Sequence, residues 1–380
     1  MIRVLGYLAI VVLVVVAAHF VVGWFLSSRL YQGALRVEIK EKDLGVRVRS
    51  VTPTEVVLES PGPRQDIGHP GVLGLAWSGG YRRVGDVVSA ESGSITRRWL
   101  DTGPQPPICS GPIEECPPVE LDPYAFPSDP GDVGLDFEEC EYSSPLGPMR
   151  AWVVGAEAKT RWAILVHGWT AERRELVRML PAFNRARFRS MVIGYRNDPD
   201  EPADPSGRYR FGLTEWEDLE AAVQHATDRG AEEAVLMGCS TGGAVVMSFL
   251  ERSGLADKVV GVVLDAPNIV LADTIRLATQ DSPATRLMRE FGMWIADLRW
   301  GIDWEATNYV QRAGVTLRVP TLVFHGTSDH TVPISESRQL AHRVPGLVEL
   351  IETPAAGHVM SWNADPERYE RYLGRFLGSL

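Results

Sequence analysis

Residues 234–243 read AVLMGCSTGG: an apolar run enters Gly238-Cys239-Ser240-Thr241-Gly242, and helical periodicity follows from Thr241 to Ser253. A strand, a sharp turn and a helix in that order form an elbow that lifts one hydroxyl clear of the backbone. Small residues must flank it because side chains there would collide. Ser240 is the nucleophile this pattern nominates. Gly254 is placed to end the helix behind it.

Working downstream, residues 321–333 read TLVFHGTSDHTVP, which sets Asp329 in the loop after an apolar run, at the sheet end where parallel α/β folds collect ligands. Asp265 in VVLDAP is an alternative acid at the same edge, but Asp329 fits the nucleophile, acid, base order better. Residues 348–358, VELIETPAAGH, then place His358 in the loop after a last apolar run. His358 would take the Ser240 proton and return it to the leaving group, and Asp329 would hold the imidazole tautomer. Upstream, residues 162–169 read WAILVHGW. The backbone N–H of Trp169 and that of Thr241 can converge on a developing oxyanion. His167 is expected to brace its loop, and Cys239 to pack rather than react.

Apolar runs at 162–166, 190–194, 234–237, 259–264, 321–324 and 348–351 alternate with amphipathic stretches at 171–186, 215–229 and 241–253. That alternation is the mark of β-α repeats around a mostly parallel, buried sheet. The motifs HGW, GCSTG, HGTSD followed by VP, and GH together resemble those of alpha/beta-hydrolases over residues 135–380. Residues 209–226, YRFGLTEWEDLEAAVQHA, resemble the segment before the elbow in membrane-anchored and peptidase-like members. The resemblance implies an α/β fold with an eight-stranded, mostly parallel sheet and the triad Ser240, Asp329 and His358, with Trp169 and Thr241 as the oxyanion hole. It also implies a small helical lid at about 268–312. Leu287, Phe291 and Trp294 there share one helical face, and an aromatic, Met-rich helix can line an acyl pocket.

N-terminal to this region, Val4 to Ser28 carries no charged side chain, enough for a helix across a bilayer of about 30 Å. It is too long for the apolar part of a signal peptide, so residues 1–30 are expected to be a membrane anchor. Trp24 and Tyr31 suit its interfacial end. Arg29, Arg36, Lys40 and Lys42 after it favour a cytoplasmic catalytic part, whereas a bridge between Cys109 and Cys116 would suit an oxidising compartment. The expectation leans to the extracytoplasmic side. Residues 31–134 read as a β-rich module, with short alternating runs and glycine turns such as GLAWSGGYRRVGD at 74–86, followed by a Pro- and acid-rich linker from 101.

The 380 residues are 45% hydrophobic and 23% charged, a composition that folds, and the net charge of −11 argues against a nucleic-acid partner. HExxH, CxxC and dinucleotide fingerprints are all missing, so neither metal nor cofactor is expected. The function expected is that of a serine hydrolase, most readily a carboxylic ester hydrolase, cleaving an ester, thioester or amide of a small-molecule acyl or peptide substrate through an acyl-enzyme. The same triad would serve an acyltransferase or a peptidase. A noncatalytic membrane-anchored scaffold is the alternative of another class.

Overall fold

A computed structural model describes residues 2–37, 45–60, 67–91, 93–155, 160–279 and 283–380. Lys40 and Lys42 lie outside the described residues. The chain begins with helix α1 (Ile2–Leu30) and a single π-helical turn, Tyr31–Leu35. Val12–Leu35 is long and apolar enough to cross a membrane, with mean hydropathy 1.7.

Six short strands follow: β1 (Arg47–Val51), β2 (Glu55–Glu59), β3 (Leu73–Trp77), β4 (Gly80–Glu91), β5 (Ser94–Trp99) and β6 (Glu120–Asp122). They pair antiparallel in the order β1-β2-β5-β4-β3-β6. Pairing of β3 with β4 follows the clustered glycines, where Trp77 faces Gly80 across the turn. The Pro-rich segment is more than a linker. It supplies the edge strand β6 and the Cys109–Cys116 disulfide, and prolines before and after β6 confine it to an edge.

The second sheet holds β7 (Phe137–Ser144), β8 (Gly147–Val154), β9 (Arg161–Val166), β10 (Arg189–Ile193), β11 (Glu233–Cys239), β12 (Val259–Asp265), β13 (Thr321–Gly326) and β14 (Val348–Thr353). Its order is β14-β13-β12-β11-β9-β10-β8-β7. The six strands from β9 onward run parallel, in keeping with the apolar runs that most of them carry, and the β7–β8 hairpin closes one edge antiparallel.

Helices cover both faces: α2 (Leu180–Arg185), α3 (Trp216–Asp228), α4 (Thr241–Arg252), α5 (Leu271–Leu277), α6 (Pro283–Trp300), α7 (Tyr309–Thr316), α8 (Ser335–Arg343), α9 (Ser361–Ala364) and α10 (Pro366–Gly378). One apolar layer packs α3, α4 and α7 on the sheet, and the other packs α2 and α10 on its opposite face. The helix expected over 171–186 begins instead as a 3-10 segment, Arg173–Met179, before α2. Pro181 explains the division: at the second position of α2 it needs no intrahelical donor, but inside one long helix it would remove a bond.

The two sheets are not independent. Ala356 and Met360, which flank His358, are buried in the core of the six-stranded sheet with Leu73, Leu75 and Val119. Asn363, fully buried, donates to the carbonyls of Val72 (2.6 Å) and Pro123 (2.7 Å), while its own carbonyl accepts from Val72 N–H (2.8 Å). Arg174 pairs with Asp122 across the same junction.

Candidate active site

β11 delivers Ser240 at its carboxyl end and α4 begins at the next residue. Ser240 holds φ 50° and ψ −119°, a strained conformation for a residue with a Cβ. The flanking glycines show why the turn tolerates nothing larger. A Cβ on Gly238 would lie 2.4 Å from the Gly242 carbonyl oxygen, and one on Gly242 would lie 2.4 Å from that of Val166. Three main-chain bonds secure the turn: Ser240 N–H donates to Asp265 O, and Gly243 and Asn268 N–H donate to Ser240 O, each at 2.9 Å.

The three side chains nominated from sequence meet here. Ser240 Oγ lies 2.8 Å from His358 Nε2, and His358 Nδ1 lies 2.8 Å from Asp329 Oδ2. A carboxylate at Nδ1 sets that nitrogen as the donor and leaves Nε2 to accept the serine proton. Asp329 is itself held: its Oδ1 accepts from the N–H groups of Thr331 (2.8 Å) and Val332 (2.9 Å), and His325 Nε2 stands 3.2 Å from Oδ2. Burial opposes the charge on Asp329, yet the hydrogen bonds from His325 and His358 outweigh it and hold the carboxyl well below its ordinary range.

Asp265 does not touch His358. It is fully buried behind the elbow, where desolvation, only partly offset by Arg178, pushes its carboxyl up to about 6. Cys239 is fully buried in the sheet core, and burial drives its thiol well above the usual value, as expected of packing.

The His167-Gly168-Trp169 loop adjoins the serine, so closely that a Cβ on Gly168 would lie 3.0 Å from Ser240 Cβ. The loop that carries Trp169 thus lies beside Ser240, which Thr241 follows in the chain. Glu175 accepts the Gly168 N–H at 2.8 Å, which fixes the loop from behind. His167 is fully buried, with Nε2 2.9 Å from Asp198 Oδ2, Nδ1 3.0 Å from Gly168 O and its ring stacked on Tyr195. Desolvation works against its charged form, but Asp198 and the Gly168 carbonyl raise its pKa overall. It braces the loop as anticipated.

Sequence reasoning missed His325, Glu175, Asp198 and the fit of the β-rich sheet against the His358 loop. His325 sits inside the quoted HGTSD motif, four residues before Asp329, and was the most accessible of these signals. The expected lid segment holds α5, α6 and the start of α7. Its aromatic helix α6 lies along α1, with Phe291 against Phe20 at 5.6 Å.

Comparison with known proteins agrees with this architecture. A profile of the Alpha/beta hydrolase family matches residues 163–371, more than half of the chain. The protein YfhR of Escherichia coli K12 is 24% identical over 257 residues, spanning 64% of this chain and 81% of that one. The Pyrococcus furiosus esterase Pf2001 shares the fold in two crystal forms. The first has TM-score 0.53 and 18% identity over 67% of this chain and 96% of that one. The second has TM-score 0.52 and 19% identity over 67% and 94%. With its sheet order, its strand-to-helix elbow and a family match that runs from β9 into α10, this chain belongs to the alpha/beta hydrolase family.

Proposed function

We propose that the protein is a membrane-anchored serine hydrolase whose first chemistry is cleavage of a carboxylic ester. The observation that carries this reading is the unbroken chain of 2.8 Å contacts from Ser240 Oγ through the His358 ring to Asp329. His358 Nε2 takes the hydroxyl proton as Ser240 Oγ bonds to the acyl carbon, and the carbonyl pair becomes an oxyanion held by the N–H groups of Trp169 and Thr241. Collapse breaks the bond to the alkoxide, which leaves with the His358 proton. Water, deprotonated by the same ring, then releases the acid and frees Ser240. The same groups serve thioesters and amides. Esters ask less of them than amides, because an alkoxide leaves more readily than an amide nitrogen.

In this reading α1 anchors the enzyme, and the catalytic part stands on the oxidising side. The Cys109–Cys116 disulfide supports that side, since such bonds persist there and are rare where thiols are kept reduced. Proteolysis of sealed vesicles of known orientation tests the assignment, and a catalytic part protected on the reducing side sinks it.

Labelling of the full-length protein by a fluorophosphonate probe tests the mechanism. Wild type is expected to label, with Ser240→Ala and His358→Ala folded by thermal melt but unlabelled. A folded wild type that neither labels nor hydrolyses any ester removes the serine mechanism.

A further inference from the structure

α1 and α6 run side by side in close contact. Phe291 fills the space over Gly23 and Leu26 that over Gly292: a Cβ on Gly23 would meet Phe291 at 2.6 Å and one on Gly292 would meet Leu26 at 2.9 Å. Small residues that let helix backbones approach are the usual means of pairing in lipid. Farther along, Arg299 donates to Ser27 Oγ (2.6 Å) and Ser28 Oγ (2.8 Å), and Trp300 stacks on Tyr31 at 4.2 Å.

The fit is incomplete on one side. A cavity of about 540 Å³ remains between α1, α5 and α6, lined chiefly by apolar groups that include Val22, Leu26, Leu30, Ile275, Met288 and Met293. That volume is in the range of roughly 300–1,000 Å³ expected of a site for a small ligand. Leu30, Ala34 and Ile275, which line it, pack against an apolar cluster of Leu35, Tyr209, Phe211 and Leu271, and Trp169 packs against the same cluster. That cluster therefore links the cavity to the loop beside Ser240.

We propose that this cavity takes one acyl chain of a bilayer lipid and directs its ester carbonyl toward Ser240. The inference rests on the hydrolase reading and names its substrate class. Three observations select a bilayer lipid. At about 1.5 Å per residue the 29 residues of α1 exceed a hydrocarbon core of about 30 Å, so one end emerges from it. The end that faces α6 carries Trp24, Arg29 and Tyr31, residue types that favour the interface. Flanking the cavity, α1 exposes Val21 and Phe25, and α6 exposes Leu287, Trp294 and Leu298, apolar surface that a bilayer would cover. Arg29 stands among the lining residues, where an anionic headgroup would lie.

Gly33 lines the cavity, and a Cβ placed there meets no atom within 4 Å, so Gly33→Phe can fill the space without a clash at Cβ. Full-length Ser240→Ala protein is placed in phosphatidylcholine vesicles with a phospholipid whose palmitoyl chain ends in a diazirine, then irradiated. Adducts are expected on residues 22–34, 275–279 and 288–293, and about a tenfold loss of them in Ser240→Ala/Gly33→Phe, since each displaced methylene removes roughly a factor of four in affinity. With Ser240 intact, Gly33→Phe is expected to lower the preference for hexadecanoyl over butanoyl esters by about tenfold. Equal adducts in the filled and unfilled proteins, or an unchanged preference in a Gly33→Phe protein that melts like wild type, overturn the proposal. The crosslink needs no hydrolysis. Cavity adducts with no fluorophosphonate labelling of wild type would leave a lipid-chain site standing and remove the reading of Ser240.

Discussion

The carboxylate of Asp329 receives N–H groups from Thr331 and Val332 on one oxygen and faces His358 and His325 on the other, so it is locked both in place and in charge. Asp329→Asn keeps the shape but turns the oxygen facing His358 Nδ1 into either a neutral acceptor or a donor. A donor there forces the ring into the tautomer whose Nε2 carries a proton. Hydrolysis by Asp329→Asn should fall by about 10⁴ in kcat with the protein still folded, measured by ester turnover beside a thermal melt. Gly242→Ala acts by another route. Its Cβ would meet the Val166 and His167 carbonyl oxygens at 2.4 and 2.7 Å, both backbone, so β9 and the elbow must separate. A loss of about 3 kcal/mol in urea unfolding is expected, together with loss of activity. Ser240, Asp329 and His358 were legible in sequence because the chemistry restricts each to a short motif at a fixed place after a strand. His325 and Asp198 were not, because a bracing group needs only to be polar and near, and nearness belongs to the tertiary fold.

At the scale of elements, α8 shows a helix holding a loop through one buried acid. Glu336, in its first turn, accepts the N–H groups of Ile269 and Val270, both at 2.8 Å, and the Thr274 hydroxyl, and so ties the segment after β12 to α8. Its side chain is fully buried, and desolvation, opposed in part by those N–H donors, raises its pKa from 4.5 to about 8. Folding therefore holds a proton that the unfolded chain has released between those values. This contribution to stability is greatest at the acid end and is lost as pH rises, by up to about 1.4 kcal/mol per unit. Urea midpoints should accordingly fall more steeply between pH 6 and pH 8 in wild type than in Glu336→Gln, which keeps an acceptor but does not titrate. Equal slopes would dismiss Glu336 as the source. The elements themselves were largely readable: most of the six parallel strands are built on apolar runs, with the edge strand β14 (VELIET) the least continuous, and α3 and α4 lie within a residue or so of their expected ends. The β7–β8 hairpin was not assigned, since its edge strand β7 buries only alternate residues, Cys140 and Tyr142, among exposed acids. Nor could periodicity say what the apolar side of α6 meets, because Phe291 and Trp294 would share a face against any partner.

For the whole molecule, the unexpected feature is that the β-rich sheet, anticipated as a separate module, is part of the bed on which the His358 loop rests. Its core takes in Ala356 and Met360 on either side of His358, and Gly71 is so near Asn363 that a Cβ would lie 1.8 Å from the Asn363 carbonyl oxygen. Such fitting comes from two surfaces folded far apart in sequence, and nothing in the local pattern of either announces it. Asn363 joins them most directly, since its amide donates to carbonyls from both β3's approach and the segment after β6. Asn363→Ala deletes both bonds and leaves a buried carbonyl unpaired at Val72, which should cost about 1–3 kcal/mol. Because His358 lies only five residues before Asn363, loss of this tie should also loosen the 2.8 Å alignment of the ring with Ser240. Turnover is then expected to fall several-fold while KM changes little, because the groups that contact substrate are retained and only the approach to the transition state suffers. A variant destabilised by the expected amount but with unaltered kcat would make the β-rich sheet a stabilising neighbour with no part in positioning the histidine.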